Sequence, residues 1–418
     1  MRWFAEVETL DMESRQPGVS VTERSLIAPQ NKISSAVPLF IGYTQTGEAY
    51  ALQAIDDFSE YVEMFGAAHV STLPAATRAH VDVLYYAVRH YFDNGGSGGF
   101  VLSLGSYGEA ERSSNEEIVA AFADPRIAEA IKGELSITLV AIPAMVLLPD
   151  SAVTLWQKSW QIVLGYCQCR SGLFGLLEAP DDAAAVRRCL TEFTGTGREW
   201  GAAYWPRLLT DYADKTVVVP PSAALAATIE RIDYNLGVWT APANVALSNV
   251  IKPTQSHLQV EDQLEYGGSS FNLIRDFPGR GVRIWGCRTL AAGAGSPWRY
   301  VQVRRLVSYI ESNVSQLAQM FVFEPNHEIT WYKIKGQVSN WLYKLWLNGG
   351  LYGVEADDAF DVRLGLHETM TEADVAAGKM IMKIRLTTLH PAEFIELGLQ
   401  FDMTNGISLP TLESLRQP

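Results

Sequence analysis

The feature of this sequence that most restricts its fold is a regular alternation of strand and helix patterns between residues 100 and 209. The strand patterns lie at Phe100–Leu104, Ser136–Leu148, Gly172–Leu177 and Ala202–Leu209, and the helix patterns between them at Asn115–Lys132, Ser151–Arg170 and Asp181–Thr194. Apolar strands that alternate with helices are typical of parallel sheets with both faces covered. The sequence therefore predicts a layered α/β region, with Asp181 capping its third helix.

The segments on either side extend this region in both directions. A strand at Ala36–Tyr43 and helices at Asp57–Phe65 and Thr77–Phe92 precede it. A helix at Ser222–Asp233 follows Pro220-Pro221 and leads into a connector at Gly237–Asn244. We expect the layered α/β domain to span residues 36–240.

A different pattern begins after the connector. Apolar residues recur at helical spacing over residues 303–320 and 330–347, and strand-like alternation follows at Met380–Leu386 and Ile395–Phe401. This order predicts a C-terminal α+β domain over residues 241–394. Residues 1–35 are then an N-terminal extension with an extended arm, and residues 395–418 a C-terminal arm and tail.

Composition excludes several classes of protein. The 418 residues carry a net charge of −14, which argues against general affinity for nucleic acid or anionic membranes. The longest apolar run, Leu139–Leu148, contains Pro143 and is too short to span a bilayer. No apolar segment follows Arg2 as in a secretory signal, so we expect synthesis in the bacterial cytoplasm. Four cysteines are too few for a disulfide framework.

The motifs that usually carry catalysis, cofactors or metals are absent or misplaced. The glycine cluster Gly95–Gly99 follows a helix and precedes a strand, whereas a phosphate-binding loop has the opposite order. The seven histidines form no zinc-binding spacing, and no nucleophile elbow occurs. We therefore expect no catalytic, cofactor or metal site. An α/β enzyme remains an alternative, with a ligand site at the carboxyl ends of the strands near Ser106, Pro149 and Glu178.

A basic segment at residues 271–310 offers a third possibility. Its arginines are Arg275, Arg280, Arg283, Arg288, Arg299, Arg304 and Arg305, with Asp276 as the one acidic residue among them. Such a segment with interleaved aromatic residues could bind nucleic acid, in which case affinity would fall steeply with salt. Ion pairs with acidic groups of the same chain or of a protein partner are the favoured alternative.

Six segments in order carry a family resemblance. They are PGVSVTERS, APANVALSNV, FNLIRDFPGRGVRIWGCRTL, WRYVQVRRLVSYIESNV, FVFEPNHEITWYKI and GKMIMKIRLTTLHPAEFIELGLQ. In them the chain resembles contractile tail sheath proteins of phages and of phage-tail-like injection systems. The chain has no large inserted domain, and in this it resembles the sheaths of extracellular contractile injection systems more than those of large myophages. The resemblance implies a non-enzymatic subunit of stacked rings around an inner tube, locked extended until a baseplate triggers contraction.

The same resemblance assigns partners and residues. The implied partners are other copies of the chain, sheath paralogues, the inner tube protein and baseplate proteins, with no nucleic acid and no membrane insertion. The implied inter-subunit arms are Pro17, Gly18, Val19, Val21 and Glu23 at the N-terminus and Ile395, Leu397, Leu399 and Phe401 at the C-terminus; the tube-facing candidates are Lys333, Lys335 and Lys344; the C-terminal domain motif contributes Arg280, Arg283, Trp285 and Arg288. Both arms alternate with period two and are candidates for strand addition to neighbouring subunits.

Two departures from the family pattern affect which paralogue this is. Residues 1–16 precede the Pro-Gly pair that usually lies nearer the start, and residues 402–418 extend past the usual terminal strand. Either extension suits a specialised ring that docks on the baseplate. The particle would be assembled in the cytoplasm and released from the cell.

Overall fold

The computed structural model describes residues 34–68, 81–170, 172–212, 215–255, 265–266, 269–293 and 295–390 of the chain. Both predicted arms, Pro17–Glu23 and Ile395–Phe401, lie outside these residues, as do the two terminal extensions. The N-terminal part of the helix predicted at Thr77–Phe92 also lies outside them.

The described residues form alternating strands and helices. The strands are β1 (Pro38–Thr44), β2 (Leu52–Ile55), β3 (Gly99–Ser106), β4 (Leu139–Ala141), β5 (Phe174–Glu178), β6 (Gly201–Trp205), β7 (Leu208–Tyr212), β8 (Lys215–Val219), β9 (Val245–Ala246), β10 (Lys252–Pro253), β11 (Glu265–Tyr266), β12 (Ser269–Phe277), β13 (Gly281–Trp285), β14 (Phe360–Arg363) and β15 (Lys383–Leu386). The α-helices are α1 (Phe58–Phe65), α2 (Val83–Asp93), α3 (Tyr107–Arg112), α4 (Asn115–Phe122), α5 (Pro125–Gly133), α6 (Val153–Gln168), α7 (Ala183–Thr191), α8 (Ser222–Leu236), α9 (Val301–Gln319), α10 (Glu328–Leu347), α11 (Ala356–Ala359) and α12 (Glu372–Ala376).

A central sheet organises most of the molecule. Its order is β2-β3-β1-β4-β5-β6-β12-β13-β9, with β11 paired to β12. In this order, the six neighbouring strands β3, β1, β4, β5, β6 and β12 run parallel to one another. Strand β2 pairs antiparallel with β3 at one edge, and β13 and β9 continue the sheet in antiparallel pairs beyond β12. The parallel strands are joined by covering helices, which confirms the predicted layered α/β fold.

Two hydrophobic clusters cover the two faces of this sheet. Helices α4, α5, α6 and α7 supply buried residues to one cluster, which contains Trp156 and Trp160. Helices α1, α2 and α8 supply the other, together with the small sheet of β7, β8 and β10. The alternation of side chains along each strand sends neighbours to opposite faces, as Leu176 and Leu177 of β5 illustrate.

Three local predictions are wrong. The strand predicted at Ser136–Leu148 is limited to β4, because Pro143 begins a 3-10 helix that ends at Leu147. The strand predicted at Ala202–Leu209 is interrupted at Pro206 and divides into β6 and β7. The cap of α7 is Asp182, whose carboxylate accepts a hydrogen bond from the backbone N–H of Ala185 at 2.8 Å.

The C-terminal part of the chain forms a third cluster. It contains buried residues of α9 and α10, including Leu306, Trp331 and Leu342, and is completed by the antiparallel pair β14–β15. Strands β9, β12 and β13, which follow the predicted boundary at residue 240, belong to the central sheet. The division into four regions stays a prediction. None of the helices that the structure describes is both long and apolar enough to cross a membrane.

Candidate assembly surfaces

The smallest sheet of the molecule presents backbone at its edges. Strands β14 and β15 pair over four residues each, from Phe360 opposite Leu386 to Arg363 opposite Lys383. Among the described residues no third strand joins them. A two-stranded sheet is marginally stable in water by itself, and its outer edges carry backbone donors and acceptors that a further strand can use.

Helix α10 turns one face to the third hydrophobic cluster and the opposite face outwards. Apart from Glu328 in the first turn, its exposed positions fall within an arc of about 140° around the helix axis at 100° per residue. They are Ile329, Tyr332, Lys333, Gly336, Gln337, Asn340, Tyr343, Lys344 and Leu347. Tyr332 is 74% exposed and Leu347 61%. Large apolar and aromatic side chains on one exposed face are typical of a contact surface.

The structure separates the three predicted tube-facing lysines into two groups. Lys333 and Lys344 are eleven residues apart and so lie about 20° apart around the helix axis. Lys335 lies about 160° from Lys333, and its Nζ forms a 3.6 Å ion pair with Glu368. Lys333 has a 3.7 Å ion pair of its own with Glu324, and both groups are exposed. Two of the three lysines therefore share the outward face.

Gly336 occupies the middle of that outward face. Beyond the backbone of its own helix, no atom of the described residues lies within 4 Å of the position where a Cβ would stand, so none of these residues requires a glycine there. A glycine in a helix interior costs about 0.5–1 kcal/mol relative to alanine. A partner that packs closely against the helix backbone would require a residue without a Cβ at this position.

The turn between α9 and α10 combines a fixed base and an exposed tip. The Asn326 amide donates to the backbone oxygens of Val375 and Lys379, and Trp331 Nε1 donates to Asn326 Oδ1 at 2.7 Å. Phe323, three residues earlier, is fully exposed and has φ of 75°, in the left-handed region that favours glycine. The asparagine of the F-x-F-E-P-N motif thus has a structural role.

Arg280 and Arg283 of the C-terminal domain motif hold the end of the connector. Both guanidinium groups reach Asn244, and the shortest of these bonds runs from Arg283 Nη1 to Asn244 O at 2.7 Å. Asn244 has φ of 57° and donates its backbone N–H to Ile284 O. These arginines therefore fix the turn that leads from the connector into β9.

Trp285 and Arg288 complete the motif. Trp285 is 36% exposed and packs on Phe277 with ring centroids 4.6 Å apart. Arg288 is 5% exposed, and its backbone N–H and C=O are both bonded to the Asn272 side chain. A Cβ on Gly286 would lie 2.7 Å from Asn272 Oδ1, which explains the glycine between them. All four predicted residues thus lie around the β12–β13 hairpin.

Two further arginines of the basic segment, Arg304 and Arg305, lie in the interior. Arg304 is 4% exposed and lies between the rings of Trp200 and Trp298, 4.2 Å from each centroid. Arg305 forms a buried bidentate ion pair with Asp233, at 3.0 and 2.5 Å. With Arg288 also buried, three of the seven arginines face the interior. The intrachain ion pairs match the favoured alternative.

The residues proposed for an enzyme site have structural contacts. Ser106 ends β3 and caps the N-terminus of α3, with its backbone N–H donating to Glu109 Oε2 at 2.8 Å, and Pro149 O accepts a hydrogen bond from Trp156 Nε1. Glu178 ends β5 and is fully buried. Burial raises the pKa of Glu178 to about 8, although Ser222 at the start of α8 and the Arg207 charge lower it.

The glycine cluster Gly95–Gly99 forms a turn, as its position in the sequence predicts. Asn94 caps α2, and Gly95 and Gly98 have φ of 87° and 142°. A Cβ on Gly96 would collide with the Tyr91 ring, whose hydroxyl oxygen lies 2.6 Å from both Gly98 O and Glu230 Oε2. The cluster is thus needed for close packing. Among the described residues, no three His, Cys, Asp or Glu side chains come together to hold a metal ion.

Sequence reasoning missed several residues that connect these surfaces. Asp233, Asn244 and Asn326 all pair with residues far away in the chain, so no local pattern identifies them. The asparagine of Glu-Pro-Asn offered one signal, because a polar residue after proline and before a helix often organises a turn. The separation of Lys335 from Lys333 could have been found from helical periodicity alone.

Comparisons with known proteins agree on one family. A family model described as the phage tail sheath C-terminal domain matches residues 294–402. A chain in the cryo-EM structure of the anti-feeding prophage baseplate in its contracted state is 38% identical, with a TM-score of 0.81, over 94% of this chain and 100% of that one. A chain of the anti-feeding prophage helical sheath in its contracted state is 29% identical, with a TM-score of 0.69, over 93% and 100%.

A more distant relative is the tail sheath protein of Enterobacteria phage T4. It is 26% identical over 144 residues, which cover 34% of this chain and 22% of the phage protein. The chain thus matches less than a quarter of the length of that relative, whereas it matches the whole length of the anti-feeding prophage chains.

Proposed function

Because the chain belongs to the contractile tail sheath family, we propose that it is a structural, non-enzymatic subunit of a sheath that surrounds an inner tube. Contraction of this sheath would drive the tube through a target envelope. The observation that carries the proposal is the 38% identity and TM-score of 0.81 along the full length of the anti-feeding prophage chain. No contact among the described residues favours the enzyme alternative over this one.

The arms and the β14–β15 pair together form the proposed link between subunits. The N-terminal arm at Pro17–Glu23 and the C-terminal arm at Ile395–Phe401 would add strands to the outer edges of this small sheet in neighbouring copies. Each backbone hydrogen bond contributes a net of about 0.5–1.5 kcal/mol, so an arm that forms several bonds would be held firmly. Such links would keep rings connected while the bodies of the subunits rotate.

The outward face of α10 is the proposed contact with the inner tube. Lys333 and Lys344 supply positive charge on a face that also carries Tyr332 and Leu347, so an acidic tube surface with apolar patches would fit it. Lys335 was predicted with them, and its position about 160° from Lys333 around the helix axis makes it the natural comparison. The proposal is that the tube touches the side bearing Lys333 and Lys344.

One identity value supports a place in the ring next to the baseplate. The chain is 38% identical to a chain of the contracted anti-feeding prophage baseplate structure, and 28% and 29% identical to chains of a second baseplate structure and of the helical sheath of the same particle. The partners of the chain would then be baseplate proteins, other sheath paralogues, the tube and further copies of itself, in a particle assembled in the bacterial cytoplasm and then released.

The test is co-expression with the neighbouring genes, followed by negative-stain electron microscopy of sheared lysate. We expect striated tubes in two lengths when the chain is intact, and altered or lost tubes when residues 1–23 are deleted. Tubes that form normally without incorporating this chain, together with a purified protein that stays monomeric, would contradict the sheath assignment.

A second pair of variants tests the tube contact. Lys333→Glu combined with Lys344→Glu should give sheaths that lack an inner tube or tubes without sheath. Lys333→Glu alone should weaken the contact in the same direction, and Lys335→Glu is its matched control, because each reverses one lysine charge and breaks one ion pair on opposite sides of α10. Equal effects of the two changes would refute the proposed orientation of the helix.

A further inference from the structure

A buried three-residue ring holds the chain just before the first strand. Arg305 of α9 and Asp233 of α8 form a bidentate ion pair whose side chains are 3% and 4% exposed. Ser35 closes the ring with both of its polar groups: its hydroxyl donates to Asp233 Oδ2 at 2.6 Å, and its carbonyl accepts from Arg305 Nη2 at 2.8 Å. The chain is thus tied to two helices before β1 begins at Pro38.

The ring lies between two helices that belong to different hydrophobic clusters. Helix α8 packs on one face of the central sheet, and α9 contributes Leu306 and Ile310 to the third cluster. A small, partly open cavity of about 20 Å³ lies beside the ring, lined by Ser34, Tyr309 and Ser312 among others. Its volume is about that of one water molecule, so Ser35 lies next to a small gap on that side.

The energetics of buried ion pairs indicate what such a ring supplies. Removing two charges from water offsets most of their attraction, so a buried pair contributes little net stability compared with an apolar pair of the same shape. What the pair does provide is geometry, because a guanidinium fork and a carboxylate fit in one arrangement. The ring thus defines where Ser35 must lie.

We infer that Arg305 and Asp233 are positioning residues for the N-terminal arm. They fix its root at Ser35 to α8 and α9, so a pull on the arm passes into these helices. Without the ring, the same pull would first reach the hydrogen bonds between Val37 and Thr138 and would peel β1 away from β4. The mechanical role rests on the proposed function, whereas the anchoring itself is a property of the isolated subunit.

Limited trypsin digestion of the full-length subunit tests the anchoring directly. Cleavage after Lys32 requires the residues that follow it, including Ser35, to leave the body of the protein and enter the protease. Cleavage after Arg24 does not require this and serves as the internal reference. The measured quantity is the rate at Lys32 divided by the rate at Arg24, determined by mass spectrometry.

Three variants sharpen this measurement. The double variant Asp233→Leu/Arg305→Met replaces the ion pair with an apolar pair and should raise the ratio roughly tenfold, since Ser35 loses both of its bonds. Ser35→Ala should raise the ratio by a smaller factor, because it removes the hydroxyl bond alone. Arg304→Met is the matched control: it removes a neighbouring buried arginine that contacts Trp200 and Trp298, and should leave the ratio unchanged.

The possible outcomes separate the anchoring from the sheath assignment. An unchanged ratio in the double variant overturns the anchoring, and so does an equal rise in Arg304→Met, which would indicate a general loosening of α9. If circular dichroism shows that the double variant is unfolded, Ser35→Ala decides, and an unchanged ratio there overturns the inference. None of these results depends on whether sheaths form.

A second readout uses the assembled particle. With the arm root released, we expect sheaths containing the double variant to fragment under shear that wild-type and Arg304→Met sheaths survive. Fragmentation without a change in the Lys32 ratio would assign the weakness to another interface and overturn the anchoring.

Discussion

The central sheet and the C-terminal cluster of α9, α10, β14 and β15 differ in how completely their apolar side chains are buried. The sheet has a hydrophobic cluster on each face, and most of the apolar residues in those clusters are fully buried. In the C-terminal cluster partly buried apolar side chains outnumber the buried ones, and its sheet has two strands among the described residues. A region that leaves apolar surface and strand edges uncovered is suited to be completed by other chains.

The difference explains how one subunit can be both firm and adaptable. A closed body keeps its shape when it rotates, because tightly packed interiors do not deform continuously. An incomplete region gains stability from neighbours and can exchange one set of contacts for another. We expect changes in the sheet to act on folding and changes in the C-terminal cluster to act on assembly.

The largest effect should come from a substitution in the closed region. Trp160 is fully buried, and its Nε1 donates to Glu178 O at 2.7 Å. Trp160→Ala should lower the free energy of unfolding by about 3–5 kcal/mol, because it leaves a cavity and an unpaired carbonyl. Urea denaturation followed by circular dichroism measures this. A loss below about 1 kcal/mol would show that the sheet is less tightly packed than described.

A smaller loss is expected at the base of the α9–α10 turn. Asn326→Ala removes the acceptor of Trp331 Nε1 and two backbone contacts, and should lower the free energy of unfolding by about 1–3 kcal/mol. Hydrogen exchange should show faster opening of residues 320–331 and no change in α6. Equal loosening of α6 would contradict the separation of the two regions.

Replacing the carboxyl group that is buried in the sheet should increase stability by an amount that depends on pH. The pKa of Glu178 is raised in the folded protein to about 8, so the folded state retains a proton that the unfolded state releases near its usual pKa of about 4.3. Wild-type stability should therefore fall as the pH rises through this interval to above 8.

Glu178→Gln should remove that dependence. Its advantage over the wild type should grow from pH 5 to pH 9 and reach about 1 kcal/mol or more, since a neutral amide is cheaper to bury than a carboxylate. Thermal melts across this range measure the difference. A constant difference at every pH would contradict the raised pKa.

The smallest stability effect gives the sharpest comparison of the two regions. Gly336 of α10 and Gly165 of α6 both lie inside helices, and at both a Cβ would have open space around it. Replacing either with alanine should stabilise the subunit by about 0.5–1 kcal/mol. We expect Gly336→Ala to impair assembly on the tube and Gly165→Ala to leave it intact. Electron microscopy of both variants decides the question, and equal assembly would remove Gly336 from the proposed contact face.

The parts that sequence predicted well are those governed by local periodicity. Helices α9 and α10 and the parallel strands follow from apolar spacing, since each element buries one face or both. The strand predicted at Ser136–Leu148 is longer than the observed β4. A continuous apolar run fits a buried strand and a buried 3-10 helix equally well, and Pro143 decides between them.

The parts that sequence could not predict depend on pairs distant in the chain. Arg305 meets Asp233 across 72 positions, and Arg283 meets Asn244 across 39. Nothing in the local pattern around either residue specifies its partner, because the folded arrangement of the sheet determines which helices touch. The basic segment therefore looked like one charged surface in sequence, although the structure buries three of its arginines.

The placement of Arg304 between Trp200 and Trp298 makes the fluorescence of these two tryptophans sensitive to the position of α9. One indole belongs to the short turn before β6 and the other to the loop before α9, with the guanidinium 4.2 Å from each ring centroid. A movement that draws α9 away from the sheet must expose both half-buried indoles to water. Tryptophan emission would then shift to longer wavelength, so a movement of this kind could be followed without modifying the protein.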